Sequence, residues 1–242
     1  MSMIMLYPAP LLTITLAATS ELTSHPVEFL LEETPRLRWS AVDATVASAS
    51  VTVSCAQAVS SLVVTGAVCA DCAVTVGGGT PPGHAKLTTT DSYTGKKSFW
   101  FTFTPVAGLT SLVVTFTRSG STTISAEQLL VGATGEYTGV QYPVAEGLVD
   151  SSVITTMSDG TVHVRKRAAA RTFAATLRAT RDVCRSFLQT SRGIGRTATM
   201  FNLCTTVDAD KWMVYGRFSS LPQGTHDLPT LSVVQFAIEE AL

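Results

Sequence analysis

Alternation of apolar and polar residues with a period of two is the feature that most constrains this chain. It is clearest over 49–55, 99–104 and 112–117, where Val, Phe, Leu or Ala on one side alternate mainly with Ser and Thr on the other. Because successive side chains of a strand point to opposite faces, each stretch predicts a strand with one face on a core. Turn-forming runs over 77–83, 92–95 and 118–121 separate these strands. The pattern predicts an all-β sandwich or jelly roll over residues 1–132.

The composition favours packed sheets and contact with other proteins. Of 242 residues, 45% are hydrophobic and only 14% are charged, against an ordinary charged share of about 25%. The apolar start over 1–18 has no basic residue and contains alternating Leu, Ile and Thr, which is typical of a strand rather than a signal peptide. No apolar run reaches about 18 residues, so we expect a soluble protein without a membrane span.

The second half of the chain predicts a different, smaller unit. Residues 133–159 are rich in Gly and weakly patterned, which indicates a connector or an arm that packs on a neighbour. Residues 160–242 then read as two strands, one helix over about 180–192, and three more strands. Thr180 is expected to cap the helix at its start and Gly193 to follow its end. The predicted fold is mainly β, with a small C-terminal β domain that carries one helix.

Positive charge is concentrated in this second unit. Between Gly160 and Met200 there are nine basic residues and one acid, a net charge of +8, whereas the segments before and after carry −6 and −3. Such segregation is typical of a surface that meets an acidic partner. The residues that we expect at this interface are Arg165, Arg167, Arg171, Arg181 and Arg185.

Three interpretations of these arginines remain open. They could form a solvated face, bind nucleic acid, or neutralise acids of a neighbouring subunit, and the net acidic remainder of the chain favours the last. Acids of the connector, Glu136, Glu146 and Asp150, or acids of another protein, would supply the complement. Glu239 and Glu240 could pair with the basic segment of the same domain or of a neighbour.

No catalytic motif accompanies the charge. The four histidines have no nucleophile signature around them, and the Gly-rich run over 77–83 lacks the ending of a phosphate loop. Cys69 and Cys72 have a CxxC spacing without the second pair that a zinc site needs, so ordinary packing is favoured over a disulfide or a metal. The odd count of five cysteines indicates a reducing compartment. We therefore expect no enzyme, cofactor or metal.

The second unit resembles a family of long-tailed bacteriophages, the distal-tail and minor-tail proteins of the tail tip. The motifs that carry the resemblance are the turn 158–160, the basic strand 163–167, the arginine-led strand from Arg171, the helix ending in Arg192-Gly193, the run 213–216 and the final strand 234–239. The first unit is similar to the galactose-binding-like jelly roll found upstream in many of these proteins, through the segments 37–40, 98–101 and 124–132.

This resemblance implies a structural virion protein at the tail tip or baseplate hub. It would close the tail tube and tether receptor-binding components, with tube, hub and fibre proteins as partners. The resemblance also implies a homo-oligomer, trimeric or hexameric, built into the tail after assembly in the bacterial cytoplasm.

An alternative is a carbohydrate-binding module that recognises a host surface glycan. It would need exposed aromatic rings, and Tyr93 and Trp100 are the candidates. Trp39 is expected in the core instead, because its flanks are apolar. A weaker alternative is nucleic-acid contact by the basic domain.

Overall fold

The computed structural model describes residues 1–8, 14–32, 37–91, 94–106, 111–149, 153–158, 161–165, 170–205, 209, 211–225 and 230–241. The side chains of residues 142, 153, 154, 164 and 165 are outside this description. The chain forms two compact units. The N-terminal unit contains Met5–Gly135 and Asp208–Met213, and the C-terminal unit contains Met1–Ile4, Glu136–Val207 and Val214–Leu242.

Eleven strands begin in the first 138 residues. They are β1 (Ser2–Pro8), β2 (Ile14–Ala18), β3 (Trp39–Ser40), β4 (Ser48–Cys55), β5 (Val59–Ala67), β6 (Asp71–Val76), β7 (Ala85–Thr90), β8 (Lys97–Val106), β9 (Ser111–Thr117), β10 (Ser125–Ala126) and β11 (Gln128–Thr138). A 3₁₀ turn spans Val27–Leu31.

The N-terminal unit is a β-sandwich. One sheet has the order β2-β4-β9-β6, and the other runs through β11, β5, β8 and β7. Alternate residues of β4 and β9 are buried, as the sequence predicts. They share one apolar core with residues of the second sheet such as Leu62, Val64 and Phe101. Trp39 is fully buried in this core, with its ring 5.2 Å from that of Phe116, which confirms the expectation.

Trp100 is also in the interior, and its expected exposure is wrong. Strand β8 lies between β5 and β7 and buries Phe99, Trp100 and Phe101 in succession. Trp100 is only 1% exposed. Its indole Nε1 donates a hydrogen bond to Ser61 Oγ at 2.6 Å, and Ser61 Oγ donates to the Phe101 carbonyl at 3.0 Å. Because the indole N–H has this internal acceptor, the ring is buried without an unsatisfied donor.

Among the described residues of the C-terminal half, eight further strands and one helix follow. They are β12 (Val140–Val149), β13 (Val153–Thr156), β14 (Val162–Arg165), β15 (Ala170–Thr180), α1 (Arg181–Ile194), β16 (Thr199–Asn202), β17 (Met213–Phe218), β18 (Gln223–Thr225) and β19 (Leu231–Glu240). The sheet has the order β12-β15-β19-β17-β16, and β18 also pairs with β19. Strands β13 and β14 form a separate antiparallel pair.

Helix α1 is fixed to this sheet by an aromatic cluster. The ring of Phe187 lies 5.1 Å from Tyr137, 5.2 Å from Phe236 and 6.2 Å from Phe218. Two of these contacts are edge-to-face, an arrangement that stabilises aromatic pairs beyond their area of burial. Tyr137 Oη also donates to Thr190 Oγ1 at 2.9 Å. The cluster therefore determines which face of the helix is turned outward.

The mainly β fold with one helix is confirmed, with local differences from the prediction. The helix ends two residues later than expected, and Gly195, not Gly193, takes the left-handed conformation at φ +64°. Thr180 stands at the N-cap with extended backbone, but its side chain makes no capping hydrogen bond. The predicted connector contains the end of β11 and all of β12 and β13, because edge strands with Gly and exposed residues lose the alternation that marks a strand.

Replacing Phe187 with Ala is expected to destabilise the C-terminal unit by about 3–5 kcal/mol, because a fully buried ring leaves a cavity at the helix–sheet contact. Urea unfolding followed by circular dichroism measures this loss. Ser186→Ala, at an exposed position of the same helix, is the control and should change the free energy of unfolding by less than about 0.5 kcal/mol. Equal stability of the two variants would contradict the anchoring role of Phe187.

Candidate functional site

Three arginines form a row on the exposed side of α1. Cys184, Phe187, Ser191 and Ile194 are buried on the inner side. At about 100° per residue, Arg181, Arg185 and Arg192 lie within roughly 40° of one another around the helix axis. All three are exposed. We call them the arginine row.

The arginine row borders a groove between α1 and strands β18 and β19. Its cavity volume is about 210 Å³, and its lining residues are Arg181, Cys184, Arg185, Leu188, Gln189, Arg192, Gly224, Ser232 and Val234. A Cβ at Gly224 would lie 3.1 Å from Leu188 Cδ1 and 3.5 Å from Val234 Cγ2. The absence of a side chain at Gly224 thus allows β18 to approach the helix, and the groove combines an apolar floor with a cationic rim.

The sequence determines the position of this helix through charge as well as apolar spacing. Asp182 is in the first turn and Arg192 in the last, and both charges interact favourably with the helix dipole and so stabilise the helix. Cys184 Sγ donates to the Ser232 carbonyl at 3.4 Å, which holds the first turns against β19.

The side chains of the arginine row form no ion pair in the described part of the chain. Guanidinium groups on one helix face repel one another because they carry like charges. Salt at physiological ionic strength screens this repulsion only partly for neighbours one turn apart, because the Debye length is about 8 Å. A negatively charged ligand in the groove would relieve this repulsion.

Arg171 differs from the arginine row, because it forms an ion pair within its own unit. Its Nη2 donates to Glu240 Oε1 at 2.8 Å, and its Nε and backbone N–H donate to Oε2, each at 3.2 Å. Strand pairing of β15 with β19 brings the two residues together. The expected pairing of a terminal glutamate with the basic segment is confirmed for Glu240, within the same unit.

None of the other predicted site residues belongs to the arginine row. Arg165 ends β14, and its side chain is outside the described residues, as are the whole of Arg167 and Tyr93. Trp100 is buried, so it offers no ring to a glycan.

An exposed apolar edge is the feature that sequence reasoning missed. Leu148 is 74% exposed and Val149 43% exposed at the end of β12, an outer strand of its sheet. Met157, which follows β13, and Val162, at the start of β14, are also exposed. The run Glu146-Gly147-Leu148-Val149 within the predicted connector was the available signal, because it places an acid beside large apolar residues in an otherwise polar segment.

Within the described ranges, no group of three or more His, Cys, Asp or Glu side chains is placed to hold a metal ion. No helix described here is long and apolar enough to cross a membrane.

All five cysteines are buried thiols. Burial raises the pKa of the Cys69 thiol to about 11 and raises that of Cys72 well above its usual value, with the neighbouring Cys69 as a second cause. Thiols with such raised pKa values remain protonated near neutral pH and react slowly.

Comparisons of the chain with protein-family models, with curated proteins and with solved structures give no match.

In the folded protein at pH 8, we expect none of the five thiols to react with a disulfide reagent such as DTNB on a scale of minutes, and all five to react in guanidinium chloride. Raising the pH toward 11 should make Cys69 reactive, because its pKa is raised and the thiolate forms only there. Circular dichroism at each pH verifies that the fold persists. Rapid reaction of any thiol at pH 8 would contradict the observed burial.

Proposed function

We propose that this chain is a structural protein of the tail tip of a tailed bacteriophage, where it closes the tail tube and tethers receptor-binding components. The observation that carries the proposal is the surface of the C-terminal unit. That surface presents the arginine row, whose side chains form no ion pair among the described residues, and, separately, the exposed apolar end of β12. Paired cationic and apolar surfaces of this kind support a role in permanent contact with neighbours.

The β-sandwich followed by a β domain with one helix agrees with the architecture that the resemblance implies. The low charged share of the chain also supports a building block with several neighbours, because less of its surface needs to remain hydrated. The proposed partners are other tail proteins and further copies of this chain, with assembly in the cytoplasm of the host bacterium.

Contact with nucleic acid is a second candidate, favoured by the alignment of the arginine row alone. The composition of the groove supports it less well. Binding of single strands commonly uses aromatic rings on which bases stack, whereas the groove is lined by Leu188, Val234 and Cys184 beneath the arginines. An apolar floor under a cationic rim suits a protein segment with both apolar and acidic side chains.

We expect the purified protein to sediment at a mass several times its monomer mass of 25.6 kDa, and antibodies against it to label the tail tip of virions in electron micrographs. Analytical ultracentrifugation and immunogold labelling test the two parts. Antibodies against a capsid protein of the same phage are the control. A strictly monomeric protein together with unlabelled tails would overturn the proposed function.

A further inference from the structure

The groove beside the arginine row has the spacing of a site for an extended acidic segment. Along the helix axis Arg181 and Arg185 are about 6 Å apart, and Arg185 and Arg192 about 10.5 Å apart, at 1.5 Å per residue. Residues two apart on a strand are about 6.8 Å apart and point to the same face. A strand laid along the groove therefore presents alternate side chains at intervals close to one helical turn.

The end of strand β12 carries a segment of matching chemistry. Glu146 pairs in register with Phe173 and Leu148 with Arg171, so both side chains project from the same face of the sheet. Glu146 is exposed and Leu148 is 74% exposed. Beyond β12 no further strand is paired in the part of the chain that the structure describes. An acid and a large apolar side chain thus stand two residues apart on a free edge.

We propose that the arginine groove of one copy binds the β12 edge of a second copy of this chain. Glu146 would meet Arg185 at the rim, and Leu148 would cover Leu188 and Val234 on the floor. Arginine suits this contact, because its planar guanidinium can hold a carboxylate through two hydrogen bonds. The inference rests on the proposed function and deepens it by naming the partner and the two contacting surfaces.

The two surfaces are different, and this determines the kind of assembly. In the order β12-β15-β19, the edge strand β12 is two strands away from β19, whereas the groove lies where α1 meets β18 and β19. A contact between unlike surfaces is head-to-tail, and it closes into a ring when the rotation per subunit is a simple fraction of a turn. The trimer or hexamer implied by the resemblance would be such a ring.

Exchanging charges across the proposed contact tests it. Arg185→Glu alone and Glu146→Arg alone should each weaken self-association by about ten-fold or more, since each places like charges opposite one another. The double variant should recover much of the loss, because the pair is restored with its signs exchanged. Sedimentation velocity over a range of protein concentrations measures all three against the unaltered chain.

Arg178→Glu is the matched control. Arg178 is an exposed arginine in β15, outside the groove, and its reversal changes the net charge by the same amount. We expect unaltered self-association for this variant. Circular dichroism and thermal unfolding of every variant verify that the exposed substitutions leave the fold intact.

Cysteine cross-linking provides a second measurement that does not depend on charge. The native thiols are buried, so added surface cysteines should react almost alone. Leu148→Cys protein mixed with Gln189→Cys protein should form a disulfide-linked dimer on a non-reducing gel, because Gln189 lines the groove. A mixture of Leu148→Cys with Arg178→Cys is the control and should form far less.

Several results would overturn the inference while leaving the proposed function standing. Normal self-association of both single variants, absence of recovery in the double variant, or equal cross-linking in the control would each do so. Loss of capture of another tail protein by Arg185→Glu, with self-association unchanged, would assign the groove to that partner instead. If Arg185→Glu instead lost salt-sensitive binding to duplex DNA, with self-association unchanged, the groove would be assigned to nucleic acid. The proposed function itself would be overturned by a different result: a monomeric protein together with tails that antibodies against it do not label.

Discussion

The packing of Phe187 against the sheet is the interaction on which the candidate site depends. Its ring contacts Tyr137, Phe218 and Phe236, and together with the bond from Tyr137 to Thr190 it fixes the rotation of α1. A helix anchored at this point has one outward direction, and the arginine row follows it. Without this anchor, nothing in the cluster would hold the arginines toward the groove, because the buried apolar face sets the rotation of an amphipathic helix.

The basic side chains of the two units differ in whether they form ion pairs. In the N-terminal unit Lys86 pairs with Asp71, and Lys96 pairs with Glu127. In the C-terminal unit the strand pairing gives Arg171 a carboxylate, that of Glu240. The arginine row pairs with no carboxylate among the described residues, so the repulsion between its guanidinium groups persists in the isolated chain. Exposed ion pairs contribute at most about 1 kcal/mol each, so this arrangement matters less for stability than for the choice of a partner.

In the interior of the sandwich, one hydrogen bond allows a polar aromatic residue, Trp100, to be buried. Trp100 belongs to a stretch whose alternation predicts an outward side chain, yet Ser61 accepts its indole hydrogen and permits burial on both faces of β8. Ser61 and Trp100 are far apart in the sequence, and their contact arises only when β5 and β8 pair. Trp100, one of the two aromatic candidates for glycan recognition, therefore offers no exposed ring.

Local sequence patterns predicted the β class, the alternating core of β4 and β9, helix α1 within two residues of its ends, and the concentration of arginine in one segment. These features depend on local periodicity and composition, which neighbouring residues alone encode. The folded structure alone shows that Glu240 pairs with Arg171 and that Gly224 leaves room for a groove beside Arg181, Arg185 and Arg192. It also decided that Leu148 is exposed at a sheet edge. Each of these depends on which distant strands pair and on how the helix rotates over them, and no local pattern in the chain contains that information.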